Sequence, residues 1–301
     1  MRTLRPAILM RALRLPFVVA VMLPFAAGSV LPEGPVRWLR CLLGLLAAVC
    51  THLSANLIND SADSRTGADW YDRTYHGGLF GGSKLIQQYL LTEGFFRRGA
   101  FILGATAFMI VLLLSAMMRR PELIVWYAMA LFLAWAYSEA PFRLAYHGFG
   151  ELIVFLLFGP AAVIAAFFLQ TGRFPAGSAF LLGMPYGLLT AAVLVANEVP
   201  DCISDAAAGK RHLVVRIGRG NGYRLYYLLA AAGLLSIALN VAADIVKSWA
   251  LLAFVIVVPI FLAGEILRDA DADKRQHLKS SRLTLAAQAA AGLILWGAAA
   301  A

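Results

Sequence analysis

Two short stretches of this sequence crowd acidic and amide side chains against long apolar runs. The first is Asn56-Leu57-Ile58-Asn59-Asp60-Ser61-Ala62-Asp63, continuing through Gly67 to Asp69. The second is Asn197-Glu198-Val199-Pro200-Asp201-Cys202-Ile203-Ser204-Asp205, followed by Gly209-Lys210-Arg211. Asn56, Asn59/Asp60 and Asp63 recur at i, i+3/i+4 and i+7, and Asn197, Asp201 and Asp205 at every fourth residue. On helices each set forms one stripe. Carboxylates closing a helix meet an end that is already partly negative, so two such stripes repel unless a cation lies between them. A hard divalent ion meets that need: Mg2+ takes oxygen ligands and is typically held by one or two carboxylates plus substrate phosphates. With Lys210 and Arg211 just downstream, the inventory suits a diphosphate bridged by Mg2+. Acidic residues at membrane-helix positions are rare and biased towards function, which favours this reading over two solvated loop starts.

The elements that position these stripes must be membrane helices. The chain has 301 residues, of which 14% are charged and 61% hydrophobic. An ordinary soluble domain carries about 25% charge. This excludes a soluble globular enzyme, a disordered tail and a secreted disulfide scaffold; Cys41, Cys50 and Cys202 have no metal-ligand spacing and cannot all pair. Apolar runs at about 15–32, 38–58, 99–118, 122–140, 149–170, 177–197, 223–243, 247–267 and 284–300 predict an all-α bundle of nine transmembrane helices. The first follows Arg2, Arg5, Arg11 and Arg14 and reads as an uncleaved span rather than a signal peptide. The stripes close spans 2 and 6, where Gly67 suits a left-handed C-cap and Pro200 loosens the last turn. With the N-terminus in the cytoplasm, twenty of the 26 basic residues fall on cytoplasmic segments, which predicts N-in, C-out topology. The net charge of +9 is then explained by topology, leaving little for nucleic acid to account for.

At these residues the chain resembles the UbiA superfamily of intramembrane prenyltransferases. Asn59-Asp60-x-x-Asp63 is similar to that family's first aspartate motif and Asp201-x-x-x-Asp205 to its second. Within the superfamily it most resembles the 1,4-dihydroxy-2-naphthoate polyprenyltransferases of menaquinone and phylloquinone synthesis, through Asn56 to Asp69, Gly81-Gly82-Ser83-Lys84, the 4–5 loop from Pro141 to Gly150-Glu151, and Gly209 to Gly218. It departs from them at Glu198, where a second Asn is common, and at Glu139-Ala140, where glycines are usual.

The resemblance implies one prenyltransferase domain over residues 1–301, with its first motif at 56–69 and its second at 197–211, and nine helices around a central cavity capped by cytoplasmic loops. It implies a prenyl diphosphate donor, an aromatic acceptor and Mg2+, in a bacterial inner membrane with the site facing the cytoplasm. Asp60, Asp63, Asp201 and Asp205 are then the metal-binding and catalytic carboxylates, with Asp69, and with it Asp72, as a weaker contact. Asn56, Asn59 and Asn197 add neutral oxygens, while Lys84, Lys210, Arg211, Arg73 and Arg143 face the diphosphate. Tyr146, with Tyr137, is a candidate to shield an allylic cation, against the plainer role of membrane anchor. Glu151 either orients the acceptor or pairs with Arg143. His147 and His212 read as loop or interface residues rather than ligands, and Asp269, Asp271 and Asp273 as a solvated loop. Two rivals stand beside this: the same chemistry on another acceptor, such as 4-hydroxybenzoate, another phenol or a lipid, and a cation-coupled transporter with acidic motifs in both halves.

Overall fold

The computed structural model describes residues 6–71, 73–174, 177–269 and 271–301; Arg2, Arg5 and Asp72 lie outside these. The described residues form helices and turns, with no strand among them. In hydrocarbon every backbone N–H and C=O must bond within its own segment, and apolar runs therefore become helices. Twelve α-helices follow in order: α1 (Pro6–Leu13), α2 (Val19–Val30), α3 (Trp38–Thr66), α4 (Glu93–Met118), α5 (Glu122–Ala136), α6 (Gly150–Phe158), α7 (Pro160–Thr171), α8 (Ser178–Ala207), α9 (Leu213–Ile217), α10 (Gly222–Ala242), α11 (Val257–Arg268) and α12 (Lys274–Ala300).

All nine apolar runs are helical, but fewer than nine qualify as crossings by length and composition. Among the described residues seven do, with α6 and α7 counted as one span across Gly159; an eighth is added if Pro6–Leu13 and Leu15–Val30, bent by 49° at Arg14, count together. The fourth run is shorter than its hydropathy suggests, because α5 holds 15 residues and a crossing needs about 20.

α8 lies at the centre, with 72% of its apolar window buried. It packs against α6, α7, α10 and α12, while α3 packs against α4, α5 and α7. Among the described residues three apolar cores result, one around α8, α10, α11 and α12, a second around α3, α4 and the ends of α5 and α7, and a smaller third where α1, α3 and α4 meet Leu85. Small residues let the broken span approach α8: a Cβ on Gly187 would lie 2.3 Å from the Phe155 carbonyl oxygen. α3 ends at Gly67, which takes the left-handed conformation at φ 95° as its spacing predicts. α8 continues as helix through Pro200 to Ala207, so both acidic stripes remain on regular helix and hold their register.

Candidate active site

The last two turns of α3 and of α8 bring the two stripes together. Asp63 stands at the junction: its Oδ1 accepts a 2.6 Å hydrogen bond from the Tyr146 hydroxyl, and its Oδ2 accepts from Lys210 Nζ at 3.1 Å and Asn59 Nδ2 at 3.3 Å. Lys210 Nζ also lies 3.4 Å from Asp205 Oδ2, so one ammonium bridges the two motifs. Burial alone would lower the pKa of this lysine, but Asp205 and Asp63 outweigh it and hold the ammonium well above its ordinary value. Burial, with Asp63 beside it, likewise raises the Tyr146 phenol, which stays protonated and donates.

The loop between α3 and α4 staples both motifs with backbone N–H groups. Gly81 N–H donates to Asp201 Oδ2 at 2.6 Å, and Ser83 N–H to Asp60 Oδ2 at 3.0 Å. Gly82, at φ 72°, must be glycine on two counts, since a Cβ there would also lie 2.6 Å from Asp69 Oδ2. Lys84 is buried and donates to the Asp69 carboxylate at 2.8 Å and to its backbone carbonyl at 2.9 Å. Burial pushes the Asp69 carboxyl up to about 8, although Lys84 pulls the other way.

These side chains line a polar cavity of about 290 Å³ whose wall includes Asp63, Asp69, Asp201, Asp205, Lys84 and Lys210. A second cavity of about 510 Å³ is lined almost wholly by apolar side chains of α2, α3, α5, α6, α7 and α8. Its wall runs along α3 from Asn59 to Gly44, about 22 Å of helix axis. At its far end the Trp126 ring meets Phe168 and Phe174 edge-on, with centroids 4.9 and 4.8 Å apart. The two cavities share Arg14, Asn59, Tyr137, Leu194 and Asn197; that shared wall is a neck between a charged chamber and a greasy one.

Several of the sequence-derived candidates lie away from the polar cavity or have other partners. Asp60 is buried but does not line the polar cavity; its carboxylate holds Ser83 and lies 3.7 Å from Arg14 Nη1. Asn56 belongs to the apolar cavity, donating to the Leu13 carbonyl and contacting His52. Arg211 is exposed, because the chain is extended there and alternates Lys210 inward, Arg211 outward and His212 inward. Arg73 lies over the Trp70 ring at 4.9 Å and Arg143 over the Tyr146 ring at 5.8 Å; neither lines the polar cavity. Glu151 does not pair with Arg143. Its Oε1 accepts from Leu213 N–H at 2.8 Å, and it gathers with Glu198 and His212 in one buried cluster. His212, in the extended segment ahead of α9 as expected, is fully buried, with Nε2 at 3.2 Å from Asp205 and Nδ1 at 3.5 Å from Glu198. Asp273 caps α12 in a capping box, so that loop residue has a local structural task.

Arg14, Glu198 and His212 are the site residues that motif reasoning passed over. Arg14 reads in sequence as one more basic residue before a span; the bend at that residue turns its guanidinium to Asn59 Oδ1 at 3.5 Å and Asp60 Oδ1 at 3.7 Å. Their shared signal is an ionisable residue beside a motif with no need to be there. The donor set on the cavity wall suits a hard divalent cation: Asp63, Asp201 and Asp205 offer carboxylate oxygens, and Asn197 Oδ1 is buried without a partner.

Residues 21–286 match the UbiA prenyltransferase family. The chain is 36% identical over 206 residues to a 1,4-dihydroxy-2-naphthoate octaprenyltransferase of Mycobacterium tuberculosis, covering 68% of each chain. It is 30% identical to a 2-carboxy-1,4-naphthoquinone phytyltransferase of Synechocystis, covering 74% of this chain and 73% of that one. Its fold is similar to the solved structure of a UbiA homologue from Archaeoglobus fulgidus bound to DMAPP and Mg2+, with a TM-score of 0.61 at 16% identity over 96% of this chain and 98% of that one.

Proposed function

This chain belongs to the UbiA prenyltransferase family, and we propose that it transfers a prenyl group from a prenyl diphosphate to an aromatic acceptor, with 1,4-dihydroxy-2-naphthoate the first candidate. One observation carries the reading: a charged cavity and an apolar cavity meet at a shared wall. A donor with an anionic head and a hydrocarbon tail fills both, and the bond that breaks then lies at the neck. The tail's entry is favoured by about 0.8 kcal/mol per buried CH₂.

Asp63, Asp201 and Asp205 would hold Mg2+, with Asp69 on the same wall as a further ligand; when bound, the ion neutralises the diphosphate as it leaves. Asp60 positions the Ser83 loop that carries Lys84. Lys84, Lys210 and Arg14 add fixed positive charge in a chamber poor in water, where preorganised charge lowers the barrier to C–O cleavage. Tyr137, on the wall of both cavities, lies where an allylic cation forms. The acceptor ring carbon then bonds to the prenyl carbon. With a naphthoate acceptor, the electron pair of the departing C–CO₂ bond restores aromaticity, and CO₂ and diphosphate leave. The reading includes nine crossings, N-in and C-out, a site on the cytoplasmic side of a bacterial inner membrane, and one domain over residues 1–301; the skew of basic residues supports that orientation.

The test is purified protein in lipid with Mg2+, prenyl diphosphates of graded length, and a panel of naphthoate and benzoate acceptors. Prenylated naphthoate with loss of CO₂ is expected. No diphosphate release with any acceptor, together with unaltered donor binding in Asp63→Ala and Asp201→Ala, would overturn the proposal.

A further inference from the structure

Glu151 at the start of α6, Glu198 on α8 and His212 ahead of α9 converge from three separate segments. One ligand atom from each lies within 4.8 Å of the others. All three side chains are buried, at 4%, 6% and 0% exposure. The prenyl-transfer reading uses none of them. Glu151 Oε1 accepts the Leu213 N–H, but Glu151 Oε2 and Glu198 Oε2 are buried with no hydrogen-bond partner among the described residues. Two buried carboxylates with unmet oxygens call for a cation, because uncompensated charge in an interior is costly. The imidazole makes the same demand. Val215 N–H points at His212 Nδ1 from 3.4 Å, which makes Nδ1 the acceptor and puts the ring proton on Nε2, 3.2 Å from Asp205 Oδ2. That long contact leaves the Nδ1 lone pair open to a stronger partner. Nδ1 lies 3.5 Å from Glu198 Oε2, so two electron-rich atoms face each other with no proton between them. Two ligands on one tetrahedral Zn2+ stand about 3.3 Å apart. A carboxylate holding the far N–H of a ligating histidine, as Asp205 does here, is the usual support for such a nitrogen. Glu198 also lines the polar cavity, which gives an ion a route in.

We propose that Glu151, Glu198 and His212 form a second cation site, separate from the Mg2+ carboxylates, that takes Zn2+. The mixed donor set selects the metal: Mg2+ prefers oxygen alone, whereas imidazole suits Zn2+. The ion ties α6 and α8 to the segment that carries Lys210 two residues before His212. It thereby fixes the stretch of chain from which that ammonium reaches Asp63 and Asp205.

The test uses the full chain in lipid nanodiscs, purified without a metal column, equilibrated with zinc chloride in millimolar Mg2+ and desalted. Elemental analysis should find about one zinc per chain in wild type, in Asp63→Ala and in Asp201→Ala. Glu151→Gln and His212→Gln should each lose most of it, because removing a ligand costs at least the roughly 10–100-fold in affinity that losing a supporting residue does. Zinc should also raise the melting temperature of wild type by several degrees and leave that of His212→Gln unmoved, as binding to the folded state requires. Zinc X-ray absorption on wild type should show one imidazole among oxygen ligands. Wild type that retains no zinc overturns the site and leaves the two carboxylates to share a proton. Zinc lost in Asp63→Ala or Asp201→Ala also overturns it, by placing the ion among the Mg2+ carboxylates. If the variants do not fold, the wild-type absorption spectrum decides: oxygen ligation without imidazole overturns the site. The readout is metal content and ligation, so the outcome stands whether or not the protein prenylates any acceptor.

Discussion

Replacing Lys210 by methionine keeps the length of the side chain and removes its charge. In the structure its Nζ lies 3.1 Å from Asp63 Oδ2 and 3.4 Å from Asp205 Oδ2, with 13% of the side chain exposed. At an effective dielectric of about 20, each contact is worth roughly 5 kcal/mol before the lysine's desolvation is subtracted. Breaking a buried pair by removing one partner costs about 3–5 kcal/mol, because the remaining charge is left uncompensated. Here two carboxylates from different helices are left facing each other. We expect the variant's melting temperature in chelator to fall by about 6–10 °C, taking roughly 2 °C per kcal/mol for a chain of this size. If these same carboxylates bind Mg2+, millimolar Mg2+ must stabilise the variant by at least several degrees more than it stabilises wild type, since the dication replaces the missing ammonium. Transfer activity should still fall about 100-fold, because the charge aimed at the leaving group is gone. Differential scanning fluorimetry with a Mg2+ titration reads both stability effects. A variant melting within 1 °C of wild type in chelator would refute the electrostatic argument, and equal Mg2+ responses would refute the shared site.

The pH profile follows from the same pair. A lysine whose folded pKa is raised contributes stability that is fully present below its unfolded pKa of about 10.4 and is lost as pH rises through the folded one. The stabilisation that the Lys210 ammonium contributes should therefore be lost from wild type only above about pH 10, and a loss there in chemical denaturation no larger than that of Lys210→Met would contradict the assignment. Tyr146→Phe deletes the 2.6 Å bond to Asp63 and the contact with Thr66; we expect about 1 kcal/mol of destabilisation and a donor KM about tenfold higher, read by steady-state kinetics. Trp126→Ala removes the ring that packs between Phe168 and Phe174 at the far end of the tail cavity. In competition assays it should shift donor preference towards longer prenyl chains by at least threefold, with short donors unaffected.

Much of the site was legible because its grammar is local. Asn59 and Asp63 are four apart on one helix, so their adjacency, down to the 3.3 Å hydrogen bond between them, follows from helical period alone. Gly67 ending α3 is equally local. The basic residues were harder. Lys210, Arg211, Lys84, Arg73 and Arg143 look alike in sequence, yet only Lys210 and Lys84 line the polar cavity, because loop direction and the alternation of an extended segment decide which side chain turns inward. The shortness of α5 has a local signal after all, since Ser138-Glu139 and Pro141 follow closely on the end of the helix at Ala136.

From sequence alone one can derive a membrane protein built of helices, two acidic stripes, their place at helix ends, and the cation they call for. All of these rest on composition and on periods of three to seven residues, which no tertiary contact needs to supply. The fold decided how the stripes are joined: Lys210 bridging Asp63 to Asp205, Gly81 and Ser83 stapling the two motifs, and Arg14 turned in from a bend 45 residues before Asn59. It decided also that an apolar cavity and a charged one share a wall. Cavities and ion pairs are made by residues far apart in the chain, and their geometry exists only once the helices have packed.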